Sequence, residues 1–186
     1  SISRLLAPAL KGNPPFEAGA SKRDMDYLHI IDWKKAEAAF KAGKAKPINV
    51  FPVISIDTSV AEGILYFAPE PKSPHGVDVT PTGEDIVVGG KLDTHGTVYS
   101  FAKIKALIDA KKYAGKDDFG VPILDFKESI RGQVELGLGP LHTVYDNQGF
   151  AYTSMFLETV VAKWSLKDLK VVDKVSTHYN IGHLTA

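Results

Sequence analysis

Two stretches of the chain share one order of features and decide the predicted fold. They are HGVDVTPTGEDIVVGG at residues 75–90 and HTVYDNQGFAYTSMF at residues 142–156. Each begins with a histidine, continues with β-branched or aromatic residues, turns at a polar segment with glycine, and becomes apolar again. This pattern is typical of two antiparallel strands joined by a tight turn. We therefore expect two related β-hairpins.

Further elements follow or precede these hairpins. Strands are also expected at residues 27–33, 97–101 and 162–166. Helices are expected after the first two of these strands, at residues 34–42 and 102–110. Repeated antiparallel units of three or four strands are typical of a β-propeller, and propellers close with about four to eight blades. The chain holds too few units to close such a ring. A β-sandwich with helical insertions is the alternative.

The predicted fold class is thus all-β, a partial β-propeller with short helical insertions. Residues 26–186 would form this partial propeller domain, which is incomplete without the rest of the protein. Residues 1–25 contain several prolines and glycines, among them Pro14 and Pro15. They predict a loop or irregular N-terminal segment, because proline and glycine interrupt regular structure.

Composition excludes several classes of protein. The 186 residues include 22 Lys and Arg, 22 Asp and Glu, and no cysteine. A balanced charge argues against a nucleic-acid or membrane-surface partner. The lack of cysteine excludes a disulfide framework, a thiol nucleophile and an iron–sulfur cluster in this chain. No apolar run reaches the ~18–20 residues of a membrane span, and the first residues do not resemble a signal peptide.

Three histidines share a setting that points to a site. His75 and His142 open the two hairpins shortly after a proline, and His183 follows a glycine. In a propeller the innermost strands line the central axis, so equivalent positions of successive blades converge there. Clustered imidazoles suit copper, which favours nitrogen ligands. From spacing alone, a structural role for these histidines remains the alternative.

Several strings of residues resemble nitrous oxide reductase in the order that family has them. They are SPHGV at 73–77, GKLD at 90–93, GQVELGLGPLHT at 132–143, AYTS at 151–154 and HYNIGH at 178–183. The resemblance runs from about residue 26 to the last residue. It implies a seven-bladed propeller whose hub carries a four-copper sulfide cluster, CuZ, bound by seven histidines. There the family reduces nitrous oxide to dinitrogen and water with two electrons and two protons.

The resemblance also implies roles for individual residues. His75, His142 and His183 match the family's copper-binding motifs. His178 falls outside the ligand position and is expected to lie beside the ligands. A calcium site of the family near the hub corresponds to Asp26 and Ser73.

The remaining parts of such an enzyme have no match in this chain. The other cluster histidines and the cupredoxin domain with the two-cysteine CuA centre are expected to lie outside it. The chain is therefore expected to be an internal fragment that is inactive alone. The family implies a periplasmic homodimer that takes electrons from a small donor protein. A non-catalytic β-propeller binding module, or a fragment of a paralogue, is the alternative function.

Overall fold

The computed structural model describes residues 26–70 and 72–185 of the chain. Its strands are, in order, β1 (Tyr27–Ile31), β2 (Lys46–Ile48), β3 (Phe51–Val53), β4 (Leu65–Pro69), β5 (Pro74–Val79), β6 (Asp85–Gly90), β7 (His95–Ser100), β8 (Gly115–Lys116), β9 (Pro122–Ile123), β10 (Ile130–Glu135), β11 (Pro140–Tyr145), β12 (Phe150–Met155), β13 (Val160–Ser165) and β14 (Lys170–Ser176). Its helices are α1 (Trp33–Lys41), α2 (Ile56–Ala61), α3 (Phe101–Asp109) and α4 (Phe126–Ser129). None of the helices in the described ranges has the length and hydropathy needed to cross a bilayer. The predicted all-β class is confirmed, whereas the segment predicted at 1–25 lies outside the described residues.

The chain divides into two compact units. The first contains Glu70–Ala102 and Ile130–Ala186 together with Asp26, and the second contains Tyr27–Pro69 and Lys103–Ser129. All the histidines singled out as candidate copper ligands belong to the first unit.

The first unit consists of two four-stranded antiparallel sheets. Their strand orders are β10-β7-β6-β5 and β11-β12-β13-β14. Both predicted hairpins are present, as β5–β6 and β11–β12, and each continues into a third strand. Four antiparallel strands per sheet is the form of a propeller blade. The end strands β5 and β11 lie against each other and carry the candidate site.

Trp164 lies at the centre of the core of the first unit. Its side chain is fully buried among residues of both sheets, namely Val87, Val98, Val134, Leu136, Ala151, Met155 and Ala162. The indole Nε1–H donates to Thr153 Oγ1 at 2.9 Å, and that oxygen is 2.8 Å from Thr143 Oγ1. The buried indole therefore has a polar partner, which a buried donor needs.

The second unit has a different sheet. Its strand order is β1-β4-β9-β8, in which β4 and β9 are parallel and the other pairs antiparallel. A two-stranded sheet of β2 and β3 accompanies it. The parallel pair joins Phe67 to Ile123, two residues far apart in the sequence.

Trp33 corrects one expectation about the second unit. The sequence predicts a strand through residue 33. Instead β1 ends at Ile31 and Trp33 begins α1, with 65% of its surface exposed. Asp32 causes the difference, because its side chain accepts a hydrogen bond from the Lys35 N–H at 3.1 Å and caps the helix.

Candidate functional site

The three histidines predicted to converge form a row in the first unit. The ring centroids of His75 and His142 are 5.1 Å apart with the planes inclined by 74°, so the rings meet edge to face. The ring of His183 stacks on His142 with centroids 4.6 Å apart. His75 lies in β5, His142 in β11, and His183 in the segment after β14. Folding thus brings together three side chains that are remote in the sequence.

His75 and His142 both lie where a strand is irregular. The register between β5 and β6 shifts between Pro74 and Gly76, on either side of His75. The register between β11 and β12 shifts between Pro140 and Thr143, around His142. A β-bulge bends the strand and changes the direction of a side chain, and bulges are frequent beside functional sites. The local irregularity therefore accounts for how two strand residues bring their rings next to each other.

Two glycines, Gly76 in β5 and Gly89 in β6, let these two strands approach β11 closely. A Cβ atom on Gly76 would overlap the Leu141 carbonyl oxygen, and one on Gly89 would lie 2.8 Å from the Pro140 carbonyl oxygen. Neither backbone oxygen can move away as the tip of a flexible side chain could. The short distance between the His75 and His142 rings depends on this close backbone contact.

The backbone of His142 is held by the neighbouring strand. Its N–H donates to Ser154 Oγ at 3.2 Å, and the same hydroxyl donates to the His142 carbonyl at 3.3 Å. Ser154 is fully buried in β12. These two hydrogen bonds replace ladder bonds that the bulge interrupts.

Asp78 connects the two strands beside the histidines. Its Oδ2 accepts a hydrogen bond from the Thr143 N–H at 2.7 Å, and its Oδ1 lies 3.4 Å from His142 Nδ1. Its main-chain carbonyl accepts a hydrogen bond from the Tyr145 hydroxyl at 2.9 Å. Burial, with the charges of Asp78 and Asp85, raises the pKa of Tyr145, so the phenol keeps the proton that it donates.

The surroundings favour a neutral His75. Burial lowers the pKa of His75 below its usual value, and the electrostatic interactions with His142, His183 and Lys91 lower it further. Asp78 acts in the opposite direction but is the smallest of these influences. Neutral imidazole is the form that binds a metal ion.

The first unit contains two more histidines, His95 and His178. His95 is flanked by carboxylates, with Nδ1 3.0 Å from Asp93 Oδ1 and Nε2 2.8 Å from Glu135 Oε2. His178 is exposed after β14, and its expected place beside the ligands stays a prediction.

Asp26 and Ser73 are the two residues that the resemblance assigns to a calcium site. The Glu70 N–H donates to the Asp26 carbonyl at 2.9 Å. Burial raises the pKa of Glu70 to about 7, and the charge of Asp26 contributes to the rise. Ser73 has a positive φ of 54°, and its carbonyl accepts a hydrogen bond from the Lys91 N–H at 2.9 Å. Glu70 was not identified from the sequence. The calcium roles of Asp26 and Ser73 stay predictions.

The histidine row does not enclose a single ion. Within residues 26–70 and 72–185, no group of three or more histidine, aspartate or glutamate side chains is arranged to hold one metal ion. The rings are adjacent, as the centroid distances show, but they do not form a closed coordination shell.

Curated relatives carry the same segment. The chain is 33% identical to a nitrous-oxide reductase of Ralstonia nicotianae (strain ATCC BAA-1114 / GMI1000), in a match that covers 91% of this chain and 28% of that protein. It is 30% identical to a nitrous-oxide reductase of Stutzerimonas stutzeri, over 90% of this chain and 27% of the relative. The enzyme of Cupriavidus necator is 32% identical over 91% of this chain. The chain is homologous to a segment of nitrous oxide reductase.

This relationship confirms the resemblance inferred from the motifs. The chain spans 28% of the length of the nitrous-oxide reductase of Ralstonia nicotianae. No protein-family profile matches it. Among solved structures it is similar to hydrazine synthase of Kuenenia stuttgartiensis, with a TM-score of 0.42, 10% identity and 58% of this chain covered, a similarity too slight to indicate a common fold.

Two residues of the segment shared with nitrous oxide reductases were missed by sequence reasoning. Asp78 follows His75 by three positions, but its partner strand is remote in the sequence, so nothing local indicates the contact. Glu158 accepts a hydrogen bond from the Leu138 N–H at 2.6 Å and thereby holds the glycine-rich turn before β11. The glycines at 137 and 139, both with positive φ, were the available signal of a tight turn there.

Proposed function

We propose that this chain forms part of the hub of a copper-dependent nitrous oxide reductase, with His75, His142 and His183 as copper ligands. The observation that carries the proposal is the row of three rings, with centroids 5.1 and 4.6 Å apart, built from three separate parts of the chain. The homology to nitrous oxide reductases over about nine tenths of the chain supports the same assignment.

The donor set fits a copper cluster. Imidazole nitrogens are suitable copper ligands, and the site provides three of them with no competing thiolate. In a cluster of four copper ions, His75, His142 and His183 would not all have to bind the same ion. Their rings are then adjacent without surrounding one point, which agrees with the row and with the lack of a single-ion site among the described residues.

The fold of the first unit fits the hub of a propeller. The end strands of its two blade-like sheets, β5 and β11, lie side by side and both carry histidines. In this proposal the rest of the protein provides the other blades of a seven-bladed ring, the other cluster ligands and the CuA domain. It would also form the homodimer and receive electrons from a small donor protein in the periplasm. The isolated chain is then inactive.

The chain's own contribution to the reaction would be to hold the ligands. When bound, the copper–sulfide cluster supplies the electrons that convert nitrous oxide into dinitrogen and water. His75 is kept neutral by its surroundings and so keeps a lone pair for a metal. The bulges aim the rings, and the buried Thr143–Thr153–Trp164 hydrogen bonds keep β11 rigid behind them.

A calcium site beside the hub is a second part of the proposal. Asp26 and Ser73 would contribute oxygen ligands, and His178 would lie beside the copper ligands without binding copper. Burial raises the pKa of Glu70 and the charge of Asp26 raises it further, so a cation bound here would also interact with the Glu70 carboxyl group.

Single substitutions in the complete gene product that carries this chain would test the copper assignment. His75→Ala, His142→Ala and His183→Ala are each expected to lower copper per polypeptide and to abolish nitrous oxide reduction. His29→Ala is the matched control, because His29 is exposed in β1 of the other unit. If all three variants kept the copper content and spectrum of the unsubstituted protein, the assignment would be wrong, and the non-catalytic propeller module would be favoured.

A further inference from the structure

We propose that Asp78 is a positioning residue that sets which ring nitrogen of His142 is available to a metal. The inference rests on the proposed copper role of His142 and adds how the chain prepares that ligand. It starts from one geometric fact: the carboxylate of Asp78 contacts two consecutive residues of β11. Oδ2 accepts from the Thr143 N–H at 2.7 Å, and Oδ1 lies 3.4 Å from His142 Nδ1.

The position of this carboxylate is fixed independently of the histidine. Thr143 is 3% exposed, and its hydroxyl is bonded to Thr153, which also accepts the hydrogen bond of Trp164. The position and direction of the Thr143 N–H are therefore fixed by the core. The Tyr145 hydroxyl holds the main chain of Asp78 from the same strand, at 2.9 Å from its carbonyl. With Oδ2 and the carbonyl both held, Oδ1 has little freedom to leave the His142 ring.

This geometry selects one tautomer of His142. An ionised carboxylate can only accept hydrogen bonds, so the nitrogen that faces it, Nδ1, must carry the proton. The lone pair then lies on Nε2, at the far side of the ring, where it is available to a metal. Carboxylates that contact metal-binding histidines in this way orient the ring and increase the basicity of the ligand nitrogen. The side chain of Asp78 is 23% exposed, so water competes only in part for this contact.

Asp78→Asn is the sharpest test, because it keeps the shape and removes the charge. The Thr143 N–H requires an acceptor, so the amide oxygen of the variant takes the place of Oδ2. The amide NH2 then faces Nδ1 and favours the opposite tautomer, with the proton on Nε2. Asp173→Asn, in the exposed strand β14, is the matched control.

Two measurements on the complete gene product follow from this. In the metal-free protein at about pH 8, where histidine is neutral, 15N spectra of labelled histidine report the tautomer of His142. We expect the Nδ1–H form in the unsubstituted protein and in Asp173→Asn, and the Nε2–H form in Asp78→Asn. Against a competing chelator, Asp78→Asn should bind copper about 10–100-fold more weakly than the control.

The outcomes separate this inference from the proposed function. An Nε2–H tautomer in the unsubstituted protein overturns the inference without any variant. The inference is also overturned if Asp78→Asn keeps the tautomer of His142 and the copper affinity of the unsubstituted protein while His142→Ala loses copper. If Asp78→Asn inverts the tautomer but His142→Ala keeps all its copper, the positioning role holds and the copper assignment of His142 fails.

Discussion

The ring of His142 stacks on the ring of His183, with centroids 4.6 Å apart and planes inclined by 25°. His142 is fixed in a bulge of β11, whereas His183 follows the last strand of the same sheet. Their contact joins the first and last parts of one blade-like sheet at the candidate copper site.

Gly76→Ala should separate β5 from β11. The added methyl group would overlap the Leu141 carbonyl oxygen and lie 2.9 Å from Asp78 Oδ2, so a strand has to move. We expect a loss of about 1–3 kcal/mol in the free energy of unfolding, together with loss of copper. Gly115→Ala is the control, because among the described residues, its chain neighbours aside, no heavy atom lies within 4 Å of the added methyl group. Equal stability of the two variants in chemical denaturation would contradict the close packing described for Gly76.

The two tryptophans should differ strongly in their effect on stability. Trp164→Ala removes a fully buried side chain from the core and its hydrogen bond to Thr153, and should cost about 3–5 kcal/mol. Trp33→Ala removes a side chain that is 65% exposed and should change stability by about 0.5 kcal/mol or less. Thermal or denaturant unfolding of both variants gives the comparison. Similar losses would mean that Trp33 is packed as Trp164 is.

Glu158 should make stability depend on pH in the acid range. Burial alone would raise its pKa, but the Leu138 N–H and the Lys174 ammonium together hold the pKa below its usual 4.5. Because the folded-state pKa is lower than the unfolded one, Glu158 stabilises the fold above the unfolded value. This contribution is lost as the pH falls through the folded-state pKa.

Glu158→Gln should therefore lower the Tm at about pH 7 and have a smaller effect at an acid pH below the folded-state pKa, where the carboxylate is protonated in both states. Glu37→Gln is the control, since Glu37 pairs with Lys41 and its side chain is 52% exposed. A Glu158→Gln effect that is the same at both pH values would show that the charge of Glu158 does not stabilise the turn.

Arg131 should stabilise the first unit through a mostly buried partner. Its Nη1 is 3.0 Å from Asp85 Oδ2, and the Asp85 side chain is 10% exposed. The Arg131 guanidinium also donates to the Leu166 carbonyl, so one side chain in β10 contacts β6 and the turn after β13. Arg131→Met leaves the Asp85 carboxylate without this partner and should cost about 1–3 kcal/mol.

The exposed pair of Lys105 and Asp109 offers the matched control. Lys105→Met removes one partner of an ion pair whose side chains are 75% and 60% exposed, so the change should be about 1 kcal/mol or less. If denaturant unfolding gave the same loss for both variants, the burial of Asp85 would have no energetic consequence.

The part of the fold that was predicted correctly depends on patterns of residues that are close together in the sequence. The hairpins β5–β6 and β11–β12 each combine β-branched residues with a glycine turn, and such signals need only neighbouring residues. The histidines were identified for the same reason, since each stands directly after or close to a proline or glycine. Their approach could be expected only through the repeat of the two hairpins.

Strand pairings and contacts between residues that are far apart in the sequence could not be predicted from such local patterns. The parallel contact of Phe67 with Ile123 leaves no periodic pattern in either short strand. Asp78 resembles any polar residue of an alternating strand, and its role depends on where β11 lies. Trp33 was placed in a strand because aromatic and β-branched residues precede it, but the helix cap formed by Asp32 determined the local structure instead.

The position of copper in crystals of the complete gene product tests the central claim most directly. An anomalous-difference map recorded at the copper absorption edge should contain peaks within bonding distance of a ring nitrogen of each of His75, His142 and His183. For His142 that nitrogen should be Nε2, with Nδ1 facing Asp78. A map with copper peaks elsewhere in the protein and none beside these three rings would contradict the account.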